Sequence, residues 1–287
     1  MVVRPVTESD IDAIAALSAQ ADFGLTTLPC DIEYLTRRIK SARRAFADIP
    51  DEPAGENYLF VLEDIESGAI LGTRGIVSRV GGFEPFYAYE VRTAVRESKN
   101  LGIRREVAVL HLSGQHDGPC EIGTLFIDKS HRKGGLGALL SKTRFLFMAE
   151  HPDAFADTVI AELRGVSDAS GNAPFWEGVG RHFFALDFPK ADWLSIVDKS
   201  FIAELMPTDP IYVPLLPDNV QAVIGQVHPN TEPALRILEA EGFSRTSFVD
   251  IFDAGPLVSC PLAEIRSVRN SVVAVVTCPH LCVHIQS

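Results

Sequence analysis

The sequence predicts an α/β (α+β) fold, on three observations. Strand-like and helix-like patterns alternate along the chain. Residues 123–128, Gly-Thr-Leu-Phe-Ile-Asp, form a short apolar strand that passes through a glycine-rich turn into a long apolar-striped helix over 135–150. At 287 residues, 46% hydrophobic and 22% charged, the chain can bury one large core or two modest ones, with no disordered or collagen-like bias.

Residues 2–6, Val-Val-Arg-Pro-Val, read as a first strand. Thr7 to Asp10 then offer capping side chains to a helix with Ile11, Ile14, Ala15 and Leu17 at helical spacing. After Gly24-Leu25-Thr26-Thr27-Leu28-Pro29 comes a second helix, over about 31–46. It turns Leu35, Ile39 and Ala42 inward and leaves Arg37, Arg38, Lys40 and Arg43 on a solvated face. Segments 58–63 and 70–77 pair as a hairpin around Glu66-Ser67-Gly68. Phe83, Phe86, Tyr87 and Tyr89 alternate as core residues of a strand within 81–100, and 104–112 is a further β-leaning run. His111 and His116 are expected in a loop near the 123–128 strand. His151-Pro152 stops the long helix, and 158–163 is the next strand.

From Gly165 onward, Pro174-Phe175-Trp176 suggests a short helix and Gly180-Arg181-His182-Phe183-Phe184 a strand. Asp187-Phe188-Pro189 marks a boundary between a first domain, 1–190, and a C-terminal region, 191–287. Beyond it, 201–206 is a short helix, and Pro207, Pro210, Pro214 and Pro217 forbid long regular elements. A strand-like segment, 223–229, precedes a helix over 231–241 closed by Gly242-Phe243, and another strand follows. This smaller α/β region partly echoes the first domain, without a second glycine turn.

No apolar run approaches the roughly 20 residues of a membrane span. Residues 1–5 lack the apolar core of a signal peptide, so the expected location is the cytoplasm. Cys30, Cys120, Cys260, Cys278 and Cys282, an odd and mostly scattered set, argue for reduced thiols. A net charge of −12 opposes non-specific nucleic-acid binding. Against that global sign, Lys129, Arg132, Lys133, Lys142 and Arg144 gather positive charge around the glycine turn.

That turn, Arg132-Lys133-Gly134-Gly135-Leu136-Gly137, lets backbone N–H groups and a helix N-terminus approach an anion, with phosphate or pyrophosphate the natural guest. It lacks the Gly-Lys-Ser/Thr of a Walker loop and the G-x-G-x-x-G of a dinucleotide fold. Its pattern, Arg/Gln-x-x-Gly-x-Gly/Ala after an apolar strand, resembles the pyrophosphate loop of GNAT-type acyl-CoA N-acyltransferases, with Arg132, Gly135 and Gly137 at the key positions. The resemblance implies a mixed central sheet whose strands before and after the helix run parallel but splay apart. The backbone of Leu125 would then pair with pantetheine amides, much as an added strand would.

Longer blocks narrow the resemblance. They include Gly24-Leu25-Thr26-Thr27-Leu28-Pro29, Thr124-Leu125-Phe126-Ile127-Asp128, Ala161-Glu162-Leu163-Arg164-Gly165-Val166 and Pro174-Phe175-Trp176. They continue through Leu139 to Ala149, Phe201-Ile202-Ala203-Glu204-Leu205-Met206-Pro207, Val223-Ile224-Gly225-Gln226-Val227-His228-Pro229 and Asp250-Ile251-Phe252-Asp253, and they cover the chain to about Arg269. Together they resemble the arginine N-succinyltransferase family. The resemblance implies succinyl transfer from succinyl-CoA to the α-amine of L-arginine, with Leu125 on the coenzyme and His228 as proton donor. It implies no permanently bound cofactor, only succinyl-CoA as co-substrate. The expected partners are succinyl-CoA and L-arginine, not nucleic acid or membrane; homo- or hetero-oligomeric assembly stays open. Ornithine or another amine as acceptor, and an inactive or regulatory subunit, are the alternatives.

The chemistry suits these roles, because collapse of the tetrahedral intermediate expels a thiolate that benefits from protonation by an imidazole. Gln226 and Asn230 are placed to orient the His228 ring. The guanidinium needs carboxylates, for which Glu162, Asp168, Glu177, Asp250 and Asp253 are candidates, and the succinyl carboxylate needs a cation, Arg164 or Arg181. After Arg269 the text departs from the family, which continues further, so truncation is expected. Cys278, His280, Cys282 and His284 alternate there, but alternate strand positions spread ligands apart, and no metal site is expected.

Overall fold

The structure is a computed structural model that describes residues 1–21, 27–132, 134–197 and 199–272. Gly24, Leu25 and Thr26, Lys133, and the Cys278, His280, Cys282 and His284 set lie outside the described residues. The strands are β1 (Val2–Pro5), β2 (Asn57–Glu63), β3 (Ile70–Val77), β4 (Gly81–Ser98), β5 (Ile103–Asp117), β6 (Cys120–Ile127), β7 (Thr158–Glu162), β8 (Ile211–Tyr212), β9 (Ser244–Val249) and β10 (Pro256–Pro261). They form one mixed sheet in the order β1-β2-β3-β6-β7-β10-β9-β4-β5-β8. Each neighbouring pair is antiparallel except β6 and β7, which run parallel. Strands from residues 1–190 and 191–287 thus interleave, with β9 and β10 lying between β7 and β4.

The helices are α1 (Ile11–Ser18), α2 (Ile32–Ala47), α3 (Leu136–Glu150), α4 (Pro174–Gly178), α5 (Gly180–Phe184), α6 (Phe188–Val197), α7 (Ser200–Leu205), α8 (Asp218–Gln221), α9 (Glu232–Glu241) and α10 (Arg266–Arg269). Local chemistry sets several ends. Asp10 Oδ2 accepts the Thr7 N–H at 2.7 Å in the turn before α1, and Asp31 Oδ1 accepts the Tyr34 N–H at 2.8 Å at the start of α2. Gly242, at φ +105°, closes α9 in a left-handed cap.

Three clusters hold the layers together. Ile14 and Leu17 of α1 and Leu35, Ile39 and Ala42 of α2 pack on Leu59, Val61 and Phe126. Phe145 and Met148 of α3 and Leu235 and Leu238 of α9 bury a second face with Tyr58, Phe60, Ile122 and Val258. Around Trp176, residues of α4 to α7 meet Tyr89, Leu110, Val249 and Phe252. Fully burying each large apolar side chain contributes about 1.5–3 kcal/mol.

Four expectations are corrected. Residues 180–184 are helix α5, not a strand, because a helical turn stacks Phe184 on Trp176 with centroids 5.3 Å apart. Segment 223–228 is turn and irregular backbone: Gly225 takes φ +71° and donates its N–H to Ala254 O at 2.8 Å, which breaks an extended run. His111 and His116 sit in β5 rather than a loop. Arg38 is buried, not solvated, for a reason found at the site. The expected hairpin at 58–77, the strand character of 81–112 and the strand–turn–helix at 120–150 are all present.

Candidate active site

The parallel strands β6 and β7 pair only through Cys120–Val159 and Glu121–Ile160. Beyond that point they part, giving the mixed, splayed sheet that the resemblance to GNAT-type acyltransferases implies. The divergence begins where β6 is distorted. Thr124 takes φ +56°, and the register against β3 shifts between Thr73 and Gly75, so Thr124 and Leu125 together oppose Arg74 in a β-bulge. A β-branched residue in the left-handed region is disfavoured by roughly 1–2 kcal/mol, so its surroundings must hold it. Arg38 Nη2 donates to Thr124 Oγ1 at 2.7 Å, Arg38 also donates to Thr27 O, and Thr73 Oγ1 donates to Thr124 O at 3.1 Å. That is why Arg38 leaves the basic face of α2 for the interior.

A cleft of about 550 Å³ opens through the gap. On the α3 side it is lined by Ile122, Leu125, Ile127, Arg132, Gly137 and Arg144, and by Thr231, Pro233 and Ala234 at the start of α9. Glu121 and Glu162, with Arg164, Lys199, Asp250 and Asp253, line it towards the other face.

The glycine turn has the expected form. Gly134 and Gly135 take φ +74° and +79°, Gly135 is the N-cap of α3, and a side chain at either would point into open space. The first in-helix bond runs from Leu139 N to Gly135 O, so the preceding amides of Leu136, Gly137 and Ala138 have no earlier helical carbonyl to bond. Arg132 folds over the turn, its Nε donating to Ile127 O at 3.1 Å and its guanidinium 5.3 Å from the centroid of the Phe126 ring. Of the four expected coenzyme residues, Leu125, Arg132 and Gly137 line the cleft and Gly135 caps the helix beside it.

His228 is tied to the same cleft by its backbone. Its N–H donates to Arg164 O at 2.8 Å, just past β7, and its neighbours Asn230 and Thr231 line the cleft. The Asn230 N–H donates to His228 Nδ1 at 3.1 Å. The neutral ring therefore carries its proton on Nε2 and presents a donor there. Asn230 orients the ring through its main chain; Gln226 instead closes a turn, its N–H donating to Val223 O.

The acidic end sorts the carboxylate candidates. Asp168 caps its own turn, accepting from Ser170 and Asn172, and Glu177 pairs with Arg181 at 2.9 Å on the surface; all three residues stand apart from the cleft. Asp253 accepts the N–H groups of Gly165 and Gly255, and Asp250 those of Phe252 and Asp253. Glu162, together with Glu121, which the sequence reading did not single out, makes no side-chain hydrogen bond or ion pair with another described residue. Burial, then the charges of Asp250 and Glu121, push the Glu162 carboxyl well above its ordinary range, and burial raises Glu121 against the opposing charges of Lys199 and Arg38. Neither carboxylate forms an ion pair with another described residue, although the charge of Lys199 partly offsets both.

Arg144, expected in the positive surface patch, is buried at 2% exposure and faces the cleft. Among the described residues no cluster of three or more His, Cys, Asp or Glu side chains could hold a metal ion, and no helix is long and apolar enough to cross a membrane.

A sequence model of the arginine N-succinyltransferase beta subunit family matches residues 1–267. Arginine N-succinyltransferase subunit beta of Pseudomonas aeruginosa is 47% identical over 281 residues, covering 96% of this chain and 82% of that protein. Arginine N-succinyltransferase of Citrobacter koseri is 45% identical over 273 residues, covering 94% and 79%. Among solved structures, arginine/ornithine succinyltransferase subunit AI from Pseudomonas aeruginosa superposes with a TM-score of 0.86 at 37% identity, over 93% of this chain and 78% of that one.

Proposed function

Because this chain belongs to the arginine N-succinyltransferase family, we propose that it transfers succinyl from succinyl-CoA to the α-amine of L-arginine, giving N2-succinyl-L-arginine and CoA. One observation carries the reading: a single cleft lies between two splayed strands, with a glycine turn and Arg132 at one end and, at the other, carboxylates that ion-pair with no other described residue. The first end suits a diphosphate, through first-turn amides and a guanidinium. The second suits a cationic amino acid, whose guanidinium satisfies carboxylates that otherwise repel one another.

In this reading the diphosphate sits at Gly135 to Gly137 and the pantetheine arm follows the backbone of Leu125 between the strands. Arginine enters from the other face and places its guanidinium by Glu162 and Glu121. Its α-amine, having shed one proton to become neutral, adds to the thioester carbonyl; the nitrogen then loses a second proton, the C–S bond breaks as the tetrahedral intermediate collapses, and the leaving thiolate takes up a proton to give CoA. His228, donating at Nε2, stabilises the departing thiolate. A division near residue 190 would put the coenzyme turn and the histidine in different regions, with the cleft between β6, β7 and α9 joining them.

A thiol-release assay tests the function. Succinyl-CoA is offered with arginine, ornithine, lysine and no amine. Release that requires an amine and is fastest with arginine is expected. Faster release with ornithine, or none with any amine, would favour a different acceptor or an inactive subunit.

A further inference from the structure

Two arginines are buried where no acid of the described residues pairs with them. Arg74 of β3 is fully buried, and its Nε, Nη1 and Nη2 have no hydrogen-bond partner; its guanidinium lies 3.9 Å from the centroid of the Phe60 ring. Arg144, two turns into α3, donates from Nε to Ser141 O at 3.2 Å and from Nη2 to Ser141 Oγ at 2.6 Å, and lines the cleft. No carboxylate of a described residue bonds to or ion-pairs with either group. Burial depresses both, Arg74 further through the charge of Arg144, which itself falls only to about 10, so it stays charged at neutral pH. Two buried cations without an anion are costly, and a site that keeps them is one a buried anion completes.

Position says which anion. Gly137 and Arg144 are seven residues apart, two turns along one face of α3, or about 10 Å. Both line the cleft. A CoA ester held by its diphosphate at the helix N-terminus, with its pantetheine arm along Leu125, carries its acyl group into the cleft that Arg144 also lines. We infer that Arg144, backed by Arg74, binds the distal carboxylate of a dicarboxylic acyl group and so selects the acyl donor. The inference rests on the acyl-CoA reading above and adds the residues that read the acyl tail. Of the two cations expected for that carboxylate, Arg181 is held on the surface by Glu177, and Arg164, on the other side of the cleft, donates from Nη2 to Ser167 Oγ at 2.7 Å.

The test compares succinyl-CoA with butyryl-CoA, which has the same chain length and a methyl group in place of the carboxylate, at saturating arginine. The full chain is expected to prefer succinyl-CoA in kcat/KM by at least about a hundredfold. Arg144→Gln should bring the two donors to within about threefold of each other, mainly through a raised KM for succinyl-CoA. Arg74→Met should erode the same preference while leaving the thermal midpoint unchanged or raised, since it removes a buried charge. This second variant decides the matter if Arg144→Gln does not fold. A full chain without the preference overturns the succinyl reading itself. Preference retained in the folded variants, or equal losses with both donors, overturns the role of these arginines alone.

Discussion

Glu121 and Glu162 stand on one face of the sheet, either side of the point at which β6 and β7 part: Glu121 is register partner to Ile160, and Glu162 lies two residues further along the same strand. The charge of Glu121 adds to the cost of ionising Glu162. The pair is a place where a positive substrate group gains and the empty protein loses.

The first consequence is a trade between stability and binding. The folded-state pKa of Glu162 lies above its unfolded value, so its penalty is absent below about pH 4.5, grows as pH rises from there to the folded pKa, and is constant above it. Glu162→Gln should therefore stabilise the ligand-free protein at pH 8 by about 1 kcal/mol, yet raise the KM for arginine at least about tenfold. Thermal melts with parallel kinetics check both signs, and loss of stability would contradict the account.

Arg38 acts at a distance from both substrates by holding the Thr124 bulge. Arg38→Met should weaken acyl-CoA binding about tenfold or more, through misplacement of the Leu125 backbone. The arginine KM should move much less, and a CoA titration by calorimetry separates the two effects.

His228→Ala should lower kcat by about 10²–10⁴ with small changes in either KM. His228→Gln, which keeps an N–H donor in that place, should recover part of the loss. Equal activity of the alanine variant and the parent in single-turnover experiments would remove the histidine from the chemistry.

Acid stability should be set in part near the N-terminus. Burial raises the Asp10 pKa, but donation from Arg4 and Thr7 outweighs it and leaves the carboxyl below the ordinary value of 3.8. The stabilisation is present above that pH and is lost as pH falls through the depressed folded value. Asp10→Asn should destabilise the protein at pH 7 by about 1–3 kcal/mol and much less at pH 2, as urea melts at the two pH values will show.

Much of this was legible in the sequence because it is local. The apolar strand, Gly134-Gly135 and the striped helix announce β6, the turn and α3, and Thr7 to Asp10 announce the start of α1. What was not legible depends on partners far along the chain. Arg38 and Arg144 sit among other basic residues on helices and look solvated, and it is Thr124, 86 residues from Arg38, together with Thr27 that explains the burial of the first. Nothing in Gly123-Thr124-Leu125 signals a left-handed threonine, since that conformation is imposed by β3 and α2. The insertion of β10 beside β7, which brings Asp250 and Asp253 to the cleft, is likewise a non-local pairing that no motif encodes.

The most direct test of the shared cleft is a crystal structure with CoA and arginine bound together. Expected are the diphosphate on the amides of Gly135 to Ala138, the thiol emerging between Leu125 and Leu163, and the guanidinium against Glu162, with His228 Nε2 facing the sulfur. CoA and arginine in separate cavities, or a diphosphate away from the α3 N-terminus, would contradict it.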